Sequence, residues 1–394
     1  MPKTWKLQKG LGQKKNLKNF YASFAIKLNG MTSKTKRIKA TITLLLIFSF
    51  ILLTDTVPYA LATEDSWTTK ASMQQARAGH GVAVLNGKIY AIGGYISRLE
   101  FVNSTEEYDP ETDMWTYKAS MLTPRSSFGI AVCQKKIYCI GGVLINGSIT
   151  GVNEVYDPAT DTWETKTSMP TPRFGVEANT VNGKIYLIGG QYTNANEVYD
   201  PATDSWTTAT PLPVEPGPHQ DEVSASVVID DKIHVMGLAG DGNFHQIYNP
   251  ETDIWISGTI SVPPYAAAAV TSGVMAPKRI YVFGINTLSW SLDLPQFITT
   301  VYNPENYSRA DFTSMPTGRI KVGVAVVNDI IYVIGGNVPV FANSVVVSNV
   351  NEQYTPIGYI PEFPSWVLLP LFLAASLAAI ICRNMLHRKP NQQS

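Results

Sequence analysis

The chain has 394 residues, of which 45% are hydrophobic and 16% charged, a composition too apolar and too sparsely charged for a disordered chain or a coiled coil. Its 31 basic and 31 acidic residues cancel, but eleven Lys or Arg and no acid fall in residues 1–40, while residues 63–365 hold 17 basic and 30 acidic residues, a net of minus 13. So acidic a middle section repels phosphate backbones and excludes nucleic acid as a partner.

In chain order, the first element is the apolar run at residues 41–53, preceded by Lys34, Lys36, Arg37 and Lys39 and followed by Ala60-Leu61-Ala62. Basic, apolar and small residues in that order read as a secretory signal peptide cleaved after Ala62. Residues 1–62 are thus a basic leader and signal peptide, with Met31 the expected start because it leaves a signal of ordinary length. An uncleaved anchor is the alternative, although this run is short for a span of about 20 residues.

The middle is repetitive. YDPETDMW (108–115), YDPATDTW (156–163), YDPATDSW (199–206) and YNPETDIW (248–255) recur, and YNPEN begins at Tyr302. Upstream of each lies an apolar run ending in glycine, at Gly94, Gly142, Gly190, Gly237, Gly284 and Gly336, which makes six repeats. Within a repeat, two strands meet at a tight turn such as Asn86-Gly87 or Asn182-Gly183, because both central residues of that turn take positive φ. A third strand leads into Tyr-Asp-Pro and a fourth begins at Trp, the pattern of a propeller blade. The paired glycines, the Tyr-Asp-Pro turn and the spaced Trp resemble the kelch repeat over residues 64–357. The expected fold is all-β, a six-bladed kelch-type β-propeller over residues 63–357. The sixth repeat lacks a fourth strand and the segment from Glu64 to Met73 lacks a first three, so the N-terminal strand is expected to close the last blade, covering an exposed edge.

Strand direction separates two faces. The first-to-second and third-to-fourth strand turns form one, expected to be uniform, whose Asp residues act as turn formers; calcium binding is the alternative for them. The other carries variable loops, including residues 93–104, 238–246 and 285–299, where binding sites usually sit. On it, Met73/Arg77, Met121/Arg125, Met169/Arg173 and Met315/Arg319 repeat a Met-x-x-x-Arg spacing at the start of the innermost strands. In kelch proteins that bind acidic peptides, arginines at this position line the pocket, so the resemblance implies a partial ring of ligand-binding arginines open at blades 4 and 5. The alternative is that each Arg pairs with a neighbouring carboxylate or carbonyl and fastens the blades. Trp290 is a further candidate contact on this face.

No cofactor or metal site is expected. The chain has five His and three Cys, without a CxxC or HExxH motif. The copper radical oxidases among kelch propellers need a Tyr-Cys crosslink and grouped His ligands, and His80, His219, His234 and His245 are spread over blades 1 and 4 without the required grouping. Kelch-type sialic acid mutarotases are the enzymatic alternative, with Glu177 or Glu222 as acids. Cys133 and Cys139 are expected to be free thiols. Asn103, Asn146 and Asn306 head glycosylation sequons.

After a short linker at residues 358–365, residues 366–382 form an uncharged run followed by Arg383, Arg388 and Lys389, which reads as one transmembrane helix with a basic cytoplasmic tail at residues 383–394. Pro361-Glu362-Phe363-Pro364 before it resembles the PEF-type C-terminal sorting tails of archaeal surface proteins, which implies processing to a lipid anchor. The expectation is a cell-surface binding module for an extracellular glycan, peptide or surface protein, attached to the membrane at its C-terminus.

Overall fold

A computed structural model describes residues 63–191, 193–214, 223–239, 242–261, 266–285, 297–340 and 344–360. The leader, the signal segment, the PEF-type motif, the apolar run at 366–382, the basic tail, Trp290, His219 and Glu222 lie outside the described residues. Among those described, no helix is long and apolar enough to cross a membrane.

The chain opens with β1 (Ser66–Lys70). Blade 1 follows as β2 (Gly81–Leu85), β3 (Lys88–Ile92), a small hairpin of β4 (Tyr95–Ser97) and β5 (Glu100–Phe101), β6 (Thr105–Asp109) and β7 (Met114–Lys118). Blade 2 is β8 (Gly129–Cys133), β9 (Lys136–Ile140), β10 (Asn153–Asp157) and β11 (Thr162–Lys166), and blade 3 is β12 (Glu177–Val181), β13 (Lys184–Ile188), β14 (Asn196–Asp200) and β15 (Ser205–Ala209). Blade 4 is β16 (Val223–Ile229), β17 (Lys232–Ala239), β18 (Gly242–Asn249) and β19 (Ile254–Ser257), and blade 5 is β20 (Ala267–Val270), β21 (Ile280–Ile285), β22 (Phe297–Tyr302) and β23 (Arg309–Phe312). Blade 6 supplies β24 (Gly323–Val327), β25 (Ile330–Ile334), a hairpin of β26 (Asn337–Val340) and β27 (Ser344–Val347), and β28 (Asn351–Thr355).

Each blade is an antiparallel four-stranded sheet, and the sixth runs β24-β25-β28-β1. The N-terminal strand therefore closes the last blade as its sequence implied, in the register Ser66 opposite Thr355 to Lys70 opposite Asn351. The innermost strands β2, β8, β12, β16, β20 and β24 contact one another in a closed ring. Where the inner strands of blades 1 and 6 begin with glycine there is no room for a side chain: a Cβ on Gly323 would lie 2.0 Å from Val82 of blade 1, and one on Gly81 would lie 2.7 Å from Phe128 of blade 2.

Five inner hairpins turn in two residues of positive φ: Asn86-Gly87, Gln134-Lys135, Asn182-Gly183, Asp230-Asp231 and Asn328-Asp329. Gln134-Lys135 adopts this turn without a glycine and sets Cys133 opposite Lys136. Cys133 and Cys139 are buried free thiols, and burial pushes Cys139 up to about 12.

Two expectations are corrected. The turn face is not uniform, because blade 5 joins β20 to β21 through a long loop at residues 271–279 in place of a two-residue turn. Most of residues 238–246 is not loop, because β17 and β18 extend their pairing to Ala239 opposite Gly242.

Neighbouring blades are joined by a repeated clamp. Asp161 of blade 2 accepts the Tyr156 hydroxyl at 2.6 Å and the Ala119 N–H of blade 1 at 2.8 Å, while Trp163 Nε1 donates to the Ala119 carbonyl at 2.8 Å. Asp113 with Trp115, Asp204 with Trp206, Asp253 with Trp255 and Asp65 with Trp67 do the same to Ala71, Thr167, Thr210 and Thr313. The repeated Tyr-Asp-Pro-x-Thr-Asp-x-Trp string is thus the seam between blades as well as a turn. Its first Asp or Asn accepts an N–H two residues on, as at Asp157 and Ala159, and among the described residues no three His, Cys, Asp or Glu are grouped to hold a metal.

Candidate functional site

The four arginines do not project into solvent. Arg77, Arg125, Arg173 and Arg319 are 0–2% exposed, and each points into its own blade. Arg77 pairs with Glu106 at 2.5 Å, Arg125 with Glu154 at 2.7 Å, Arg319 with Glu352 at 2.8 Å, and Arg173 with Glu197. Other guanidinium N–H groups reach backbone carbonyls: Arg77 donates to Ser104 and Gly93, Arg125 to Cys139, Arg173 to Leu187, and Arg319 to Gly335 and Val350, while the Nε of Arg77, Arg125 and Arg173 has no hydrogen-bond partner. Burial lowers the pKa of Arg77, Arg173 and Arg319, and the glutamates oppose that shift. Of the two readings the sequence allowed, the fastening one describes this geometry. Blades 4 and 5 have neither partner, carrying Gln246 and Thr300 where the others carry Glu. The glutamates were legible as the Glu two residues before the Tyr in blades 1, 2, 3 and 6, a signal the arginine pattern overshadowed.

What the arginine segments do bring to the axis is backbone. Two residues after each Arg, Gly79, Ser127, Gly175 and Lys321 all have φ between 52° and 61°. Gly175 N–H donates to Ser127 O at 2.8 Å, Ser127 N–H to Gly79 O at 2.8 Å, and Gly79 N–H to Lys321 O at 3.4 Å. This arc links blades 3, 2, 1 and 6 around the axial mouth. A second belt explains the paired glycines: the N–H groups of Gly94, Gly142 and Gly336 donate to the backbone carbonyls of Arg125, Arg173 and Arg77 in the next blade. A Cβ on Gly94, at φ 92°, would lie 2.7 Å from the Ala78 carbonyl.

Inside the arc lies a cavity of about 250 Å³, whose polar lining includes His80, Ser127, Glu177, Ser226 and Lys321. Ser226 Oγ lies 2.9 Å from Glu177 Oε2 and 3.0 Å from Asn179 Oδ1. Burial raises the Glu177 carboxyl above its usual range, and Ser226 partly offsets it. The His80 imidazole has no hydrogen-bond partner in the protein; burial, then the charges of Arg77 and Arg319, lower it to about 3, so it is neutral. The site is a small polar well whose lining includes the Glu177 carboxyl, two serine hydroxyls and Lys321, with both His80 ring nitrogens buried.

Comparison with known proteins agrees with the repeat architecture. Residues 129–336, more than half of the chain, match the family described as the KLHDC2/KLHL20/DRC7 Kelch-repeats domain, and residues 76–122 match the Kelch motif. The chain belongs to the kelch-repeat family. Kelch-like protein 21 of Mus musculus is 46% identical over 50 residues, and that of Homo sapiens 44%, a stretch that covers 13% of this chain and only 8% of either relative. The solved structure titled "Structure of YjhT" superposes with a TM-score of 0.56 at 16% identity, covering 72% of this chain and 98% of that one, a likeness of fold.

Within the kelch propeller, the remaining candidates separate. Asn103 is half-buried and its Nδ2 donates to Met121 O at 2.7 Å, whereas Asn146 and Asn306 are exposed, each Oδ1 accepting an N–H two residues on. His234 and His245, unassigned in the sequence, meet inside blade 4. They occupy the places of the Tyr and Asn of other blades, which was the available signal.

Proposed function

We propose that this kelch propeller is a binding module displayed at a cell surface, taking its ligand at the axial mouth bounded by Gly79, Ser127, Gly175 and Lys321. The observation that carries the reading is the polar well at that mouth, where His80, Glu177 and Ser226 face a shared cavity on a rigid arc of interblade hydrogen bonds. The Glu177 carboxyl and the hydroxyls of Ser127 and Ser226 suit hydroxyl- or amide-bearing groups of a glycan or peptide, and the arginines are already paired inside their blades. Arg77, Arg125, Arg173 and Arg319 then act on the ligand only by fixing the backbone arc, and Trp290 is a contact proposed from sequence. Export by the N-terminal signal, and attachment through residues 366–382 or a lipid that replaces them after cleavage near the PEF-type motif, complete the proposal.

Glu177 supports a second reading, an exported sugar mutarotase, because its carboxyl stands in the well beside the Ser226 hydroxyl with its pKa raised by burial. Titration of the detergent-solubilised full chain with sugars and peptides by calorimetry, alongside anomer-exchange NMR, separates the two. Saturable binding that Glu177→Gln and Ser226→Ala weaken, without accelerated anomer exchange, is the expected result. Binding indifferent to both substitutions would move the site elsewhere.

A further inference from the structure

Five of the six inner hairpins turn in two residues; blade 5 instead raises a loop from Thr271 to Arg279. This loop is built, not slack. Asp329, in the hairpin turn of blade 6 and 3% exposed, accepts backbone N–H groups from Ser272 at 2.5 Å, Val274 at 3.1 Å, Met275 at 2.7 Å and Ala276 at 3.0 Å. Thr271 Oγ1 closes the base by donating to Pro277 O at 2.6 Å. What this scaffold holds out is a valine side chain, Val274, 78% exposed.

The chain leaves blade 6 beside it. Ile360 N–H donates to Met275 O at 2.6 Å, and a Cβ on Gly358 would lie 3.0 Å from Pro277. Ile360 is 67% and Ile357 42% exposed. Residues 272–277 and 354–361 contain no charged side chain, while Lys278 and Arg279 follow at once. Aliphatic groups from two segments, fixed by backbone hydrogen bonds and bordered by Arg279 and the Lys278–Asp230 ion pair, form a surface made to meet something apolar. The sequence says what is near: five residues, 361–365, separate Ile360 from the 17 uncharged residues 366–382. Five extended residues reach about 17 Å, so a bilayer holding that segment lies within reach of the patch.

We propose that Val274, Ile357 and Ile360 dip into the headgroup–acyl boundary of the anchoring bilayer, making the propeller lie against the lipid instead of swinging from its linker. Arg279 would sit at the level of the lipid phosphates, beside the Lys278–Asp230 pair. This rests on the reading of residues 366–382 as a membrane anchor.

The test places an environment-sensitive fluorophore on the full chain in phosphatidylcholine vesicles, with Cys382→Ser and one added cysteine: Val274→Cys, Ile360→Cys, or Thr160→Cys in the third-to-fourth strand turn of blade 2. Vesicle lipids carry a nitroxide on the upper acyl chain. Quenching of roughly twofold or more is expected at positions 274 and 360, as for a side chain buried about 5–10 Å into the interface, with little at 160. Equal aqueous accessibility of all three probes, on protein that still floats with the vesicles, overturns the proposal and leaves anchoring intact. Protein that does not float with the vesicles overturns the anchoring reading, and this one with it.

Discussion

His234 Nδ1 and His245 Nε2 lie 3.1 Å apart inside blade 4, the two rings stacked and the edge of the Tyr307 packing approached by His245. His245 Nδ1 accepts the Ile260 N–H at 3.1 Å, which leaves Nε2 as the proton-bearing nitrogen that donates to His234. A proton added to either acceptor breaks a hydrogen bond, so the pair is built to be neutral. Burial lowers His234 to about 4 and His245 to about 3, with Lys232 adding to the first and Asp230 opposing it.

Histidines depressed in the folded state bind fewer protons there than in the unfolded chain, whose His titrate near 6.5. Their contribution to stability is therefore complete above about pH 6.5 and is lost as the pH falls toward about 4 and 3. His234→Tyr with His245→Asn, the residues other blades carry, should flatten the fall in urea midpoint between those limits. His80 keeps part of the slope. An unchanged profile in the double variant would show that the pair does not drive acid sensitivity.

Glu154→Gln should destabilise the propeller by about 3–5 kcal/mol, because it leaves the Arg125 charge buried without its counter-ion. Adding Arg125→Met should recover part of this, the remainder reflecting the Cys139 carbonyl that Arg125 no longer meets. Chemical denaturation of the wild type and the two variants is sufficient. A fully stable Glu154→Gln would mean that the arginine is free for a ligand after all.

Asp161→Ala removes the acceptor of both the Tyr156 hydroxyl and the Ala119 N–H, and places alanine at φ 53°. A loss of about 1–3 kcal/mol is expected from the unsatisfied donors, accompanied by faster amide exchange at Ala119. Unaltered exchange there would refute the seam described for blades 1 and 2.

Sequon occupancy should follow side-chain availability. Asn146 and Asn306 are exposed, whereas the Asn103 amide nitrogen is engaged with Met121. Glycopeptide mapping of material from a glycosylating host should find sugar at 146 or 306 and none at 103. Occupancy of Asn103 would require the contact between blade 1's loop and Met121 to form late or not at all.

Period and turn chemistry made the architecture readable. Asn-Gly turns, Gly-Gly strand ends and spaced Tyr and Trp each demand one local conformation, and β1 was identifiable because Trp67 and its neighbours match a fourth strand without a blade. The site was less readable, because Arg77 and Glu106 are 29 residues apart and nothing local states that a side chain at a loop mouth turns inward. The loop at 271–279 escaped for the opposite reason. Its residues break the repeat, and a pattern reading registers a break only as missing signal, although Asp329 gives the loop as definite a shape as any turn.

The pairing of β1 with β28 also orders events in time. Strand β1 is the first of the propeller to leave the ribosome, and its partner, residues 351–355, is nearly the last. Until then blade 6 has no outer strand, β1 has no β28 to hold Asp65 and Trp67 against Thr313, and the ring is an open arc of blades. A chain that crosses a membrane unfolded and N-terminus first would keep β1 waiting on the far side while some 280 residues follow, a long-range closure of the kind that slows folding. Early release at any point before Thr355 should yield a sprung, protease-sensitive arc, which makes a complete chain the condition for closing the ring.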